Sequence, residues 1–158
     1  MTEQDRNTLR QRLVTLLVNE TQQLAAFISV LQQEHDILMG QDVEPLYDLA
    51  KQKANFARQL QQLATSRASV LAQAKLGFDR KGVESWLAGT HSEIWNKSLV
   101  LATQARQLNQ DNGVAITSRL SFNHQALAIL LAHSDQPTVY GPDGSSRAKP
   151  GSRHFGSF

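Results

Sequence analysis

The residues best suited to bind a metal ion are Glu34, His35 and Asp36, because carboxylates and imidazoles are common protein ligands. Consecutive residues of a helix point in different directions, so these three side chains cannot converge on one ion. A helical di-metal site needs repeated Glu-x-x-His elements, and no second matching pair accompanies this one. We therefore predict no metal site, and we expect His35 to be a tolerated residue on an apolar helix stripe.

Groups for covalent catalysis are equally sparse. The chain has no cysteine, which excludes disulfides, thiolate metal sites and thiol catalysis. A catalytic serine or threonine requires a base beside it on a structured turn, whereas the serines here lie within helical patterns or near the C-terminus. Gly141 to Gly144 is typical of a turn, since no strand precedes it and no helix follows. We predict a protein that is not an enzyme and has no cofactor.

The first 39 residues have the pattern of a long amphipathic helix. Apolar residues recur at heptad spacing, as a row of leucines with a companion row three positions earlier: Leu17, Leu24, Leu31 and Leu38, with Val14 and Ile28. Gly40 is a natural terminator, because glycine reaches the left-handed C-cap conformation without penalty. We predict a helix over about residues 5–39.

A second helix is predicted directly after the first, over about residues 42–76. Asp42 can cap it, and Pro45 is tolerated in a first turn because its missing N–H would be unpaired there anyway. A sevenfold row follows: Leu49, Phe56, Leu63 and Val70. The link between the two helices is very short, so they must form an antiparallel hairpin.

An interruption between Gly77 and Gly89 is expected to hold one short helical turn, at about 82–88. Trp86 and Leu87 within it are expected to pack against the end of the hairpin. A third long helix is predicted over about 91–133, with Thr90 as its N-cap and Glu93 completing a capping box.

One apolar row runs through the third helix at sevenfold spacing: Ile94, Leu101, Leu108, Ala115, Phe122 and Ile129. This row favours a continuous helix with at most a kink at Asn112-Gly113, a dipeptide that ordinarily signals a turn. From Ser134 onward about half of the residues are Gly, Pro or Ser, a composition that cannot bury enough apolar surface to offset chain entropy. We expect residues 134–158 to be a disordered or loosely attached tail.

The predicted fold class is therefore all-α: an elongated antiparallel hairpin plus a third long helix, forming a three-helix coiled-coil-like bundle over residues 1–133. The 16 basic and 14 acidic residues nearly cancel, and no Lys/Arg run argues for nucleic-acid binding. The apolar stretches are shorter than the roughly 20 residues of a membrane span, and the polar N-terminus is unlike a secretory signal. We expect neither a nucleic-acid partner nor membrane insertion.

The last third of the third helix has more apolar residues than one seam can bury, which predicts a partner there. These residues are Leu120, Phe122, Leu127, Ile129, Leu130 and Leu131. For the first two helices the pattern leaves three alternatives open: a strip for another helix, a homodimer, or a thin core.

Three segments of this region resemble the FlgN-type flagellar export chaperones: Gln107 to Gly113, Ser118 to Leu130, and Val139 to Gly144. The N-terminal half agrees with that family in general style, with a Leu-rich helix and an Asp/Glu-Pro-Leu restart. The specific motifs are confined to residues 107–144.

The resemblance implies a cytoplasmic chaperone of flagellar type III export. Such a protein holds hook–filament junction (hook-associated) proteins, prevents their premature assembly, and docks at the export gate or the export ATPase. By position, the resemblance assigns client contacts to a helix face and one tail residue: Leu120, Phe122, Leu127, Leu130, Leu131 and Tyr140. The alternative is a structural coiled-coil adaptor or homo-oligomer that holds no client.

Overall fold

The computed structural model describes residues 1–77, 80–89 and 91–132, and the backbone of 138–140 and 146–148. It contains four helices, α1 (Glu3–Met39), α2 (Leu46–Gln73), α3 (Arg80–Leu87) and α4 (His91–Ala132). Two short strands, β1 (Thr138–Tyr140) and β2 (Ser146–Ala148), pair antiparallel with Val139 opposite Arg147. The all-α prediction is confirmed. The chain divides into two compact units, Met1–Asn112 and Gly113–Phe158.

The start of α1 is fixed by a reciprocal cap. The backbone N–H of Asp5 donates to the Thr2 hydroxyl at 3.2 Å, and the Thr2 N–H donates to the Asp5 carboxylate at 2.8 Å. This capping box satisfies two backbone donors that would otherwise lack a partner. The hydrogen bonds from the Thr2 side chain and backbone lower the pKa of Asp5. At the other end, Gly40 terminates α1 as predicted but has an extended backbone, with φ −89°, rather than a left-handed one.

The start of α2 lies four residues later than predicted. Asp42 does accept a hydrogen bond, from the Glu44 N–H at 3.1 Å, but it stabilises a turn that precedes the helix. Pro45 occupies the N-cap position with φ −61°, a value that the pyrrolidine ring imposes and that suits entry into a helix.

The end of α2 is a Schellman motif without glycine. Lys75 has φ 58°, its N–H donates to Ala72 O at 3.0 Å, and the Leu76 N–H donates to Leu71 O at 2.9 Å. Leu76 also packs against the cluster that contains Leu71, which is the usual hydrophobic contact of this motif. The left-handed residue is therefore a lysine two positions before the predicted stop at Gly77. The helix itself ends at Gln73.

Two apolar clusters form the core of the first unit. The larger joins α1, α2, α3 and the start of α4, through Leu9, Leu13, Leu17, Val70, Leu71, Ala74, Val83, Trp86, Leu87 and Trp95. Trp86 and Leu87 pack where α1 begins and α2 ends, which confirms their predicted place at the open end of the hairpin. The smaller cluster is centred on Leu24, Leu31 and Ala105.

The most deeply buried row of α4 is not the predicted one. Its buried residues are Trp95, Ser98, Ala105 and Asn112, whereas Ile94, Leu101, Leu108 and Ala115 are half-buried. Phe122 and Ile129, the last two members of the predicted row, are exposed. Small side chains at the centre of a helix contact let the backbones approach closely, and the larger apolar residues then flank that contact. Size therefore reversed the order of burial that hydrophobicity predicts.

Helix α4 continues through Asn112-Gly113 to Ala132, so the turn-like dipeptide does not end it. The predicted cap Thr90 and the predicted last residue His133 lie outside the described residues. In the described part of the chain, α1 is also long and apolar enough, by length and composition alone, to be a candidate membrane span. That is weak support for a span, because the core helix of a helical bundle satisfies the same criteria.

Candidate functional site

The three residues that could have suggested a metal ion lie in different environments. Glu34 is buried, with 3% of its surface exposed, while His35 and Asp36 are exposed. The Glu34 carboxylate is occupied by protein donors, since Lys53 Nζ donates to its Oε1 at 3.1 Å. Across the described residues, no group of three His, Cys, Asp or Glu side chains is placed to hold a metal ion.

Glu34 belongs to a polar seam between α1 and α2 that the heptad analysis did not identify. The best-buried companion row of α1 is Leu13, Glu20, Phe27 and Glu34, one residue before the predicted row of Val14 and Ile28. Glu20 and Glu34 face cations on α2, where Arg67 pairs with Glu20 and Lys53 pairs with Glu34. Both acids were taken for surface residues because glutamate is rarely buried unless it is paired.

The two ion pairs determine the register of the hairpin. Glu20 and Glu34 are two heptads apart on α1, and Lys53 and Arg67 are two heptads apart on α2. An antiparallel pairing therefore satisfies both pairs at once. A slip of one heptad in either direction would place each glutamate opposite Leu46, Leu60 or Ala74, with no cation to compensate for its burial. Polar residues at seam positions select register in this way at some cost in stability.

Asn112 ties α4 to this seam. Its side chain is completely buried, and its Nδ2 donates to Leu31 O at 2.8 Å and to Glu34 Oε1 at 3.0 Å. Its Oδ1 lies 3.3 Å from His35 Nδ1. The predicted role of His35 as a seam residue is thus corrected, because its exposed ring contacts the seam only through Asn112. Satisfying the Asn112 amide inside the bundle explains why a residue typical of turns lies within a continuous helix.

The tryptophans at the open end of the hairpin are held by arginines. Arg10 Nε donates to Trp86 O at 3.0 Å, and its guanidinium lies 5.7 Å from the centre of the Trp86 ring. Arg67 lies 5.9 Å from the centre of the Trp95 ring while it pairs with Glu20. These are cation–π distances. They give both arginines a packing role.

A groove of about 640 Å³ lies between α1 and α2 and is open to solvent. Its described lining is mostly hydroxyl and amide side chains over an apolar floor of Leu16 and Val70, and Arg12 is the one charged residue in that lining. General acid–base catalysis needs a titratable pair within hydrogen-bond reach of substrate. This groove presents no such pair among the described residues.

The exposed apolar surface of the second unit is the main candidate for binding. Between Gly113 and Ala132, all of which is described, no residue is buried. Five large apolar side chains there are more than half exposed: Val114 at 63%, Leu120 at 52%, Phe122 at 70%, Ile129 at 65% and Leu130 at 68%. Contiguous apolar surface of this kind is typical of a site that another molecule covers.

The arrangement of these side chains follows from the helix repeat. Because successive residues turn by about 100°, Leu120, Leu127 and Leu131 form one row. Phe122 and Ile129 form a second row, and Leu130 lies between the two. Leu127 and Leu131 are half-buried, whereas Leu120, Phe122 and Leu130 are exposed.

The apolar arc therefore covers more than half of the helix circumference, which is broader than one seam requires. The helix brings five of the six predicted contact residues together. The sixth, Tyr140, has its backbone in β1, and its side chain lies outside the described residues. Val114 and Ile129 also belong to the exposed set, although the predicted contacts did not include them.

A helical protein with an occupied polar seam and an exposed apolar helix surface belongs to the class of helical binding proteins. Comparison with known proteins gives the family. The model of the family described as FlgN protein matches residues 1–148, so this chain belongs to the FlgN family.

Curated relatives agree with this assignment. The chain is 27% identical over 139 residues to the flagella synthesis protein FlgN of Yersinia enterocolitica, covering 87% of this chain and 90% of that protein. It is 32% identical over 90 residues to the protein of the same name from Escherichia coli K12, covering 56% and 64% respectively. The Proteus mirabilis protein is 26% identical over 129 residues, covering 79% and 83%. No solved structure gives a significant match.

Proposed function

We propose that this protein is a flagellar export chaperone that binds hook–filament junction proteins through the distal part of α4. The relatives it matches are named for flagella synthesis, which supports a flagellar role. The observation that carries the client-binding part is the exposed apolar arc of α4, and in particular Phe122, Ile129 and Leu130.

The physical logic is that of one helix packing in the apolar groove of another. An amphipathic segment of an unassembled subunit exposes an apolar stripe, and unsatisfied stripes lead to aggregation. The arc on α4 offers that stripe a complementary surface. Covering it would prevent the client from assembling early, and the client's helix would be released at export.

The same proposal places the protein in the cytoplasm, as a non-enzymatic carrier that delivers its client to the export gate or the export ATPase. The absence of cysteine is compatible with a reducing compartment. No cofactor is required, because holding and releasing a client needs only differential binding.

Calorimetric titration with the terminal helical segment of a hook–filament junction protein tests the proposal. Truncating Phe122 and Ile129 to alanine removes the row that is most exposed, and we expect the affinity to fall by about 10- to 100-fold, the range of one or two interface hot spots. Gln125→Ala is the matched control, since Gln125 is an exposed polar residue of the same segment.

The outcomes separate chaperone from adaptor. Binding of the wild-type chain, lost in the Phe122 and Ile129 double variant and kept in the control, supports the chaperone. An unchanged affinity in the double variant would move the site away from this surface. A chain that forms stable oligomers and binds no client segment would be the structural adaptor instead.

A further inference from the structure

The outward face of α1 has no charge over six turns. Between Arg12 and His35 the charged residues are Glu20 and Glu34, and both are buried in the seam with α2. The exposed residues of this stretch are Thr15, Val18, Asn19, Gln22, Ala25, Ala26, Ser29, Gln32 and Gln33. We name these nine residues the neutral stripe. Solvent-facing helix positions normally carry charged side chains, whereas the centres of protein interfaces are depleted of charge.

The charges at the two ends of the neutral stripe have opposite sign. Arg12 lies one turn before the stripe and Asp36 one turn after it, and both are exposed. Two copies packed antiparallel would bring Arg12 close to the partner's Asp36 at both ends of the contact. A parallel arrangement would instead bring like charges together. The charge pattern is therefore complementary to itself in one orientation only.

We propose that α1 is a homodimerisation surface, through which the neutral stripe packs antiparallel against the same stripe of a second copy. A two-fold axis between Ala25 and Ala26 matches the residues well. It places Gln22 opposite the partner's Ser29 and Asn19 opposite the partner's Gln32. Such an interface is isologous, so a neutral face can meet its own copy without like-charge repulsion.

A second copy suits this face better than a lipid surface does. Gln22, Gln32 and Gln33 carry amides that would lose water without gaining partners in a bilayer, which is unfavourable. Against a second copy the same amides can exchange hydrogen bonds across the axis. The inference goes beyond the proposed client binding and does not depend on it, since α1 and the distal part of α4 are separate surfaces.

Cysteine cross-linking tests the register, and the chain offers a clean background because it has no cysteine. In the full-length chain, Ala26→Cys places the two thiols beside the axis, with the lateral separation set by helices 8–10 Å apart, so a disulfide can form. Gln33→Cys is the matched control. Its two copies would be offset by about 22 Å along the helices, at about 1.5 Å per residue. We expect rapid dimer formation from Ala26→Cys and little from Gln33→Cys.

Sedimentation equilibrium of charge variants tests the same contact without oxidation. Gln22→Lys with Ser29→Lys places like charges opposite each other twice, and we expect dimerisation to weaken by at least about tenfold. Gln22→Glu with Ser29→Lys places opposite charges at the same positions and should dimerise at least as well as the wild-type chain. All four substitutions are at exposed positions, so folding is unaffected, and circular dichroism verifies this.

The inference is overturned if the wild-type chain sediments as a monomer at every concentration. It is also overturned if Gln33→Cys cross-links as fast as Ala26→Cys, because random collision would then explain both. Equal dimerisation of the two charge variants would place any dimer contact elsewhere.

Discussion

Asn112 provides the sharpest test of the polar seam. The Asn112→Ala substitution removes the amide that bridges α4 to α1, and it does so at a completely buried position. The Leu31 carbonyl then loses one of its donors, and the Glu34 carboxylate keeps Lys53 but loses its second donor.

The expected magnitude follows from the two hydrogen bonds. A hydrogen bond to a neutral carbonyl contributes about 1 kcal/mol, and one to a charged carboxylate contributes about 1.5–3 kcal/mol. Alanine recovers about 0.6 kcal/mol through its higher helix propensity. We therefore expect the free energy of unfolding of the first unit to fall by about 2–3 kcal/mol.

Urea denaturation followed by tryptophan fluorescence measures this change. The two tryptophans of the chain, Trp86 and Trp95, lie in the core cluster of the first unit, so their signal reports the unfolding of that unit. Asn109→Ala is the matched control, because Asn109 is exposed on the same helix, and it should leave the stability unchanged or slightly raised. A loss below about 0.5 kcal/mol for Asn112→Ala would mean that water replaces the amide, and the bridging role would be refuted.

Three further predictions concern the ends of the helices and their register. Lys75→Gly should raise the free energy of unfolding by about 0.5–1 kcal/mol, because Lys75 adopts φ 58° and glycine does so without strain; urea denaturation measures it, and a decrease would contradict the reasoning. Glu20→Lys should destabilise the hairpin by placing a cation against Arg67, and adding Arg67→Glu should restore most of the loss, as a double-mutant cycle in urea would report. The Thr2–Asp5 cap should make stability depend on pH, because the pKa of Asp5 is lower in the folded chain than its usual value near 3.8. A lowered pKa contributes stability that is present above that value and is lost as the pH falls through the folded pKa. The Thr2→Ala variant should therefore be less stable than the wild-type chain at neutral pH, and the difference should shrink below pH 3.8; a difference that does not depend on pH would exclude this cap as its source.

The helical pattern was readable because it is a local property. Leucines at sevenfold spacing, the Asp42 to Pro45 restart and the glycines around Trp86 specify long helices and an antiparallel hairpin without reference to distant residues. Helix ends were less predictable. Lys75 rather than Gly77 adopts the left-handed conformation that follows α2, because the contact of Leu76 with the core offsets the strain at a residue with a side chain.

The candidate binding surface was partly predictable. The apolar surplus of residues 120–131 is visible in the sequence, and the structure exposes Leu120, Phe122 and Leu130 while it half-buries Leu127 and Leu131. Periodicity alone could not make that distinction. The exposed fraction of a side chain depends on which neighbours cover it, and a single helix does not contain that information.

The sequence by itself determined the all-α class, the approximate extent of the helices and the resemblance to the FlgN family, since these depend on local spacing and local motifs. Only the tertiary structure decided which polar residues are buried. Glu20 and Glu34 have the composition of a solvated face, yet Arg67, Lys53 and Asn112 make their burial favourable from 19 to 78 residues away. Whether a charge lies inside or outside depends on its partners, and partners so distant in the chain are brought together only by the fold.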